Sequence, residues 1–489
     1  MTKTRWLFAD QLGPHYLDDS DQPVLLVESK AVFRRRRIHR QKAHLVLSAL
    51  RHRARDLGDR ATVLQVETYD EALAAVTGPL ECVHPTTKGA LRFVESRGVT
   101  VLPDRGFATS REDFAAWAGG RKRLLMEDFY RWQRARFEVL MEGSEPVGGR
   151  WNFDHDNREA PPRSATLGAP EPWWPQEDEI DEEVRADLDR WERDGEVSFL
   201  GVDGPRWLPA TRDEAVKAAV RFMRTRLAGF GPHEDAMLAA DPWMSHSVLS
   251  PAQNLGLLHP SELVRAAERE HREGRAPLAS VEGYVRQVLG WREWIWSVYW
   301  HIDDDYRHRN ALAATTPLPD WWWELDADAV TANCLSSVLR DVRDRGWVHH
   351  IPRLMVLGGY ALQRGIDPEE LTRWFHQAFV DGYDWVMLPN VVGMSQHADG
   401  GLMATKPYAS GGAYIDRMSD YCTPCAYDPK VRVGPTACPF TAGYWAFLDR
   451  DRELLAGNHR MRQPLAGLDR LRDREALVEQ EQLRGTSPP

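Results

Sequence analysis

Apolar positions in the first hundred residues come in short runs. Arg5–Ala9, Pro23–Glu28, Ala61–Thr68, Leu80–His84 and Val99–Leu102 read as buried strands bounded by Gly, Pro and Asp. Between them, Ala43, Val46, Leu47, Leu50, Ala54 and Leu57 fall on one stripe at a period of about 3.6 residues, which predicts a helix. Strand–helix alternation predicts a parallel sheet covered by helices. No Gly-x-Gly-x-x-Gly follows the first strand. Asp10-Gln11-Leu12-Gly13-Pro14 stands there instead, so a standard dinucleotide site is not expected. The carboxyl ends of such strands are still where ligands bind. From residue 119 to 225 the pattern breaks up. Gly119-Gly120 and Gly148-Gly149 punctuate it, Pro161-Pro162, Pro170, Pro172 and Pro175 mark a helix-poor stretch, and the acidic run Glu177–Asp189 reads as a solvated helix face. From Asp213 onward helix follows helix: Ser261–His271, Ser280–Trp300, Ala329–Asp344, Ile351–Gln363 and Glu369–Val380, with Ser261 and Ser280 as N-caps. The expected fold class is α/β plus all-α. It comprises a Rossmann-like parallel-sheet domain (1–118), a connector (119–225), a helical domain (226–480) and a tail (481–489) frayed over Arg484–Pro489.

Composition narrows the choice. A length of 489 residues calls for more than one domain, and 43% apolar with 28% charged residues excludes disorder over most of the chain. No apolar run is long enough to span a bilayer, and Met1–Ala9 lacks the apolar stretch of a secretory signal, so a cytoplasmic protein is expected. A net charge of -11 argues against a generally basic nucleic-acid binder but allows a local basic groove. Twelve of the 20 tryptophans lie from Trp243 onward, which invites stacking or electron transfer beside packing.

Five cysteines exclude a disulfide scaffold. Cys82, inside an expected strand, reads as a small core residue. Cys422-Thr-Pro-Cys425, then Cys438-Pro439, with Cys334 far upstream, read as a metal site. No histidine lies between Cys422 and Cys438 to complete a zinc finger. Four thiolates, one followed by proline, suit a cubane 4Fe-4S cluster, with tetrahedral zinc as the alternative.

Several longer motifs accompany these cysteines: Pro146-Val-Gly-Gly-Arg-Trp-Asn-Phe-Asp154, Gly290-Trp-Arg-Glu293, Trp347-Val-His-His-Ile-Pro-Arg353, Gly393-Met-Ser-Gln396, Thr405-Lys-Pro-Tyr408 and Arg417-Met-Ser-Asp-Tyr-Cys422. With them the chain resembles the prokaryotic (6-4) photolyases that carry an iron–sulfur cluster. These form a branch of the photolyase/cryptochrome family, also described as deoxyribodipyrimidine photolyase-related proteins. The likeness runs from Asp10 to Pro439. It implies an antenna domain, a helical domain holding FAD, the 4Fe-4S cluster on Cys334, Cys422, Cys425 and Cys438, and a 6,7-dimethyl-8-ribityllumazine antenna. It further implies light-driven reversal of the (6-4) lesion in UV-damaged DNA, by a monomer with no membrane association.

The resemblance also implies roles residue by residue. His246-Ser247-Val248-Leu249-Ser250-Pro251 looks like the flavin phosphate loop, where hydroxyls and backbone N–H groups before a helix attract an anion. Gln287 and Trp291 share a helix face, one to bond the cofactor and one to wall it, with Arg292 beside them. Arg353 and Asp381 resemble the buried ion pair at the isoalloxazine, with Asp384 assisting. His350 falls where similar enzymes place the histidine that hands a proton to the lesion. Tyr408 and Tyr414 are placed to hydrogen-bond a flipped base, and Trp374 and Trp323 to carry photoreduction. Asp10, Gln11 and Glu28 are the antenna candidates at the strand ends. Trp294, Trp296 and Trp300 are core or DNA-facing.

The basic run Arg34–Arg37, His39, Arg40 and Lys42 reads first as a solvated helix start, then as a DNA contact, then as an antenna contact. Two departures bear on function. Phe375 stands beside Trp374 where some relatives have tyrosine, and Met387 stands where similar proteins place a glutamate near the flavin. They keep a cryptochrome-like photoreceptor without repair as the alternative function. A third reading is a nucleic-acid-binding iron–sulfur protein like the primase large subunit, and His350 with the FAD motifs argues against it.

Overall fold

The computed structural model describes residues 3–18 and 21–489. Strands β1 (Thr4–Leu7), β2 (Val24–Ser29), β3 (Ala61–Val66), β4 (Leu80–Val83) and β5 (Thr100–Leu102) form a parallel sheet in the order β3-β2-β1-β4-β5. Arg5 of β1 stands opposite Val24 on one side and Glu81 on the other. All five expected strands are present, trimmed at their ends. Helices cover both faces, which is why the strands are apolar on both sides. Trp6, Leu25, Val27 and Cys82 pack on one face. Leu7, Val24, Leu26 and Val83 pack on the other, in a core that continues through Leu45 and Leu50 to Phe222, Leu255 and Tyr284. The sheet is thus joined to the helical half by a shared apolar core. The chain order reverses between β1 and β4, which places a crevice at their carboxyl ends.

Helix α1 (Arg40–Leu57) carries the predicted stripe and packs on helix α2 (Glu179–Arg193) through Ala43, Leu47, Ile180, Val184, Leu188 and Trp191. The acidic run is therefore more than a solvated face. Asp178 caps α2 in a capping box with Asp181, and Asp181 is fully buried against Arg206 at 2.8 Å. Asp187 meets Arg51 at 2.6 Å, and Asp189 and Glu192 meet Arg40. The basic run departs from expectation in the same way. His39, Arg40 and Lys42 are buried, while Arg34 and Arg37 pair with Glu67 and Glu324. Each run neutralises charges that burial would otherwise penalise.

The helical half follows the expected series with three interruptions. Helix 278–301 contains a π-helical segment at Arg286–Arg292, and two more lie at Pro352–Gly358 and Pro389–Ser395. Such segments concentrate at functional sites. The N-caps are His259 and Pro277 instead of Ser261 and Ser280. Ser280 is spent inside the core, donating to Ala228 O at 2.9 Å and accepting from Gly231 N at 3.1 Å. Further elements are α3 (Asn333–Arg345), α4 (Pro368–Ala378) and α5 (Pro439–Arg450). The tail is docked, not frayed. The carbonyl of Pro489 accepts from Thr331 N and Ala332 N, and Trp321 Nε1 donates to Thr486 O at 2.8 Å.

Candidate functional site

The centre of the helical half is an ion pair. Arg353, on the second π-helical segment, meets Asp381, in the loop after α4, through two N–H donors at 2.8 and 3.1 Å. Ser250 Oγ donates to the same carboxylate at 2.7 Å, and Asn254 Nδ2 donates to the Asp381 carbonyl at 3.0 Å. Arg292 Nη1 then donates to Asn254 Oδ1 at 2.6 Å. Ser250, Arg292, Arg353 and Asp381, expected together, are joined in one network. Asn254 was missed, although it lies one turn from Ser250 on the short helix Ser250–Asn254.

Upstream, the loop 243–249 wraps a guanidinium. Val248 is held at φ 57, a left-handed conformation that a β-branched residue adopts only under constraint. Ser247 Oγ accepts from Leu249 N at 3.4 Å. Arg226, almost fully buried, donates to the carbonyls of Pro170, Trp243 (3.2 Å), Met244 (2.6 Å) and His246 (3.0 Å). It donates to no carboxylate, and its Nε has no partner. Arg292 resembles it. Arg292 is held by Asn254 and Gln253, its ring contacts are Phe107 and Trp385, and its Nε has no partner. Burial lowers both guanidinium groups to about 10. Arg226 is buried and Arg292 half-buried, and among the described residues neither donates to a carboxylate, which leaves positive charge that an anionic ligand would satisfy. Arg226 escaped sequence reasoning because its signal is a missing partner.

The adjacent histidines face apart, as their helical spacing requires. His349 is buried and stacks on His246, with ring centroids 4.1 Å apart and planes at 20°. His350 is exposed. Desolvation, and then Arg353, lower His350 to about 4, and burial lowers His246 to about 3, so both rings rest neutral.

Other candidates divide. Gln287 Nε2 donates to Glu234, a carboxyl that burial raises to about 8 and whose Oε2 has no partner. Tyr408 and Tyr414 both lie in the field of Arg158 and Asp235, and burial raises Tyr414 to about 12. Trp291 packs with Met387 and Trp323 in one apolar cluster. Asp384 is placed apart from Arg353, bonded to Tyr299 at 2.8 Å and to Arg307 at 3.1 Å. Trp374 touches Trp322, centroids 5.6 Å apart and planes at 83°, so Trp322 is its tryptophan neighbour in place of the expected Trp323. Phe375 stacks on Phe379.

Cys334 of α3, Cys422, Cys425 and Cys438 line one cavity, closed by Ile415, Tyr421 and Phe440. Burial first, then neighbouring cysteines, raises Cys334 well above the ordinary thiol value. Among the described residues, only His52, Asp178 and Asp181 bring three ligand atoms within 4.8 Å of one another. No three of the four sulfurs approach that closely, whereas a tetrahedral zinc with Zn–S of about 2.3 Å would need edges of about 3.8 Å. Cys82 is a buried core thiol.

At the strand ends, Asp10 accepts from Thr86 Oγ1, and burial raises it to about 6. Gln11 Nε2 donates to the carbonyls of Val83 and His84, both at 3.1 Å. Glu28 forms a two-point pair with Arg51 at 2.9 Å and accepts from Gln65.

The chain is similar to known proteins over almost its full length. The family model for deoxyribodipyrimidine photo-lyase-related proteins matches residues 5–195. A (6-4) photolyase of Agrobacterium fabrum is 39% identical over 494 residues, covering 95% of each chain. Among solved structures, a bacterial class III photolyase from Agrobacterium tumefaciens aligns with TM-score 0.53 and 18% identity, covering 85% of this chain and 86% of that one. A cryptochrome from Synechocystis aligns with TM-score 0.51 and 12% identity, covering 81% and 82%.

Proposed function

The chain belongs to the deoxyribodipyrimidine photolyase-related branch of the photolyase/cryptochrome family, a family of flavoproteins, and we propose that it is a light-driven lyase that repairs (6-4) photoproducts in UV-damaged DNA. The observation that carries this reading is the network of the helical half, where Arg353 pairs with Asp381, Asn254 joins Asp381 to Arg292, and an exposed neutral histidine at His350 stands in the field of Arg353. When bound, FAD would supply light absorption and one-electron chemistry. Arg226, with the loop from His246 through Ser247 and Leu249 to Ser250, offers positive charge and N–H groups to its diphosphate. Arg353 and Asp381 offer a donor and an acceptor to its ring system, with Gln287 and Trp291 bordering.

His350 holds the chemistry at the substrate face. Its ring is neutral at rest and close to a guanidinium. Entry of an anionic strand favours the imidazolium, so the proton becomes available when the lesion is present. Tyr408 and Tyr414 hydrogen-bond the flipped base, and the oxygen moved between the two bases receives its proton from His350. Trp374 and Trp322, in contact within the apolar core, would return electrons from the protein side.

Four cysteines lining one cavity, with no histidine between Cys422 and Cys438, support a cubane cluster over a single zinc. In this reading Cys334, Cys422, Cys425 and Cys438 hold a 4Fe-4S cluster, and residues 1–118, 119–225 and 226–480 act as antenna domain, connector and flavin domain. A lumazine would sit in the crevice beside Asp10. No helix among the described residues is long and apolar enough to cross a membrane. A monomer working in the cytoplasm completes the reading.

The photoreceptor reading draws on one observation: Met387 is buried among apolar side chains in the cluster that holds Trp291, so no carboxylate stands there. The test is blue-light illumination of the purified, reduced protein with (6-4) DNA, followed by chromatography for restored pyrimidines. Restored bases support repair. Flavin reduction and DNA binding without restored bases would favour the photoreceptor.

A further inference from the structure

The basic run near residue 40 ends in a lysine that reaches neither solvent nor a bonded carboxylate. Lys42 of α1 is buried. Its Nζ donates to the carbonyl of His376 at 2.8 Å and to that of Gly382, and lies 5.3 Å from the centroid of the Tyr383 ring. Beside it, the backbone N–H of His39 donates to Gln377 O at 2.8 Å. His376 and Gln377 form the last turn of α4, and Phe379 behind them is extended at φ -109 and ψ 136. The last four carbonyls of a helix have no partner inside it, and that end attracts cations. The sheet half of the chain therefore closes the end of a helix in the other half.

The turn beyond α4 gives this contact its consequence. The chain folds back so tightly that a Cβ on Gly382 would lie 2.6 to 3.0 Å from the carbonyl oxygens of Phe375, His376 and Phe379. Any side chain there would force the turn open. Lys42 grips the Gly382 carbonyl, and the residue before Gly382 is Asp381, the carboxylate shared by Arg353 and Ser250. Arg353 thus bonds the Asp381 carboxylate directly, while Lys42 holds the carbonyl of the next residue and acts on that carboxylate only through its charge. Burial lowers Lys42 to about 7, while Asp381 raises it and Arg36 lowers it. Such a cation is costly to keep unless an anion stands near.

We propose that Lys42 is a positioning residue for the flavin pocket: it caps α4 from the other half of the chain, sets Asp381 against Arg353, and biases the pocket toward an anionic ring. The proposal rests on the flavin reading above. It also gives the basic run a role other than DNA contact, because its buried members spend their donors on the protein itself.

The test compares full-length wild type, Lys42→Met and Lys42→Arg. The first readout is hydrogen–deuterium exchange over residues 374–384 in flavin-stripped protein. Lys42→Met should exchange several-fold faster there, with Lys42→Arg closer to wild type. The second is the flavin midpoint potential. Removing a positive charge beside an anionic reduced ring should shift it negative in Lys42→Met and leave it near wild type in Lys42→Arg. Unchanged exchange overturns the cap, and faster exchange with an unchanged potential overturns the charge role. Wild type purified without flavin would strike the reading of the pocket, while the exchange comparison on the same samples still decides the cap.

Discussion

The crevice at the strand ends and the pocket in the helical half contain the same kinds of side chain in opposite conditions. In the crevice, Glu28 is locked to Arg51, Gln11 is spent on the carbonyls that end β4, and Asp10 is tied to Thr86. In the helical half, among the described residues Arg226 and Arg292 donate to no carboxylate, His350 stands open, and the Asp381 carboxylate is shared by Arg353 and Ser250. Ligand affinity resides in the second condition. A polar group already paired inside the protein has little left to offer a ligand, whereas a buried charge without a bonded counter-ion gains from one. The helical half should therefore depend on bound groups for its stability, and the sheet half should not.

Three substitutions probe that contrast. The largest effect is expected from Cys422→Ser. Metal–thiolate ligation contributes on the order of 10 kcal/mol to folding in small metal domains, so this variant should be insoluble or lack iron and acid-labile sulfide. Metal and sulfide analysis of the soluble fraction checks it, and wild type containing zinc without sulfide would remove the cluster. The next effect is Asp381→Ala. It strands Arg353 and frees Ser250, at a cost of about 3–5 kcal/mol by analogy with other broken buried pairs. Flavin occupancy should fall with stability, read from the visible spectrum and thermal melting together. The smallest is Glu28→Gln, which weakens the pair with Arg51 and should cost about 1–3 kcal/mol. It should lower the melting temperature while leaving flavin content unchanged. A chromophore released from the denatured wild type but absent from this variant would show that Glu28 touches a ligand after all.

The parts of this fold that were legible in the sequence are those set by periodicity. The five strands and the stripe on α1 follow from apolar spacing, and the four cysteines announced a shared site by spacing and scarcity. Charge was harder to read. The run Glu177–Asp189 and the run around Arg40 each look like solvated surface, because nothing local shows that Arg40 meets Asp189 and Glu192, or that Asp181 meets Arg206. Those pairings are set by tertiary packing. Trp322 and Trp323 are neighbours in sequence, and only the orientation of a short helix decides which one touches Trp374. Arg226 was invisible for a deeper reason: its significance is that no carboxylate bonds to it.

In the proposed reading, repair by this chain turns on His350 handing a proton to a lesion held over the flavin. The measurement is the yield of restored pyrimidines per absorbed photon, for wild type and His350→Ala at equal flavin and cluster content and equal DNA binding. His350 is exposed and bonds to nothing that holds the pocket together, so the variant should keep flavin, cluster and lesion affinity. It should lose nearly all repair, at least the roughly 100-fold typical of a missing general acid. Equal repair by wild type and His350→Ala would refute the role given to this histidine.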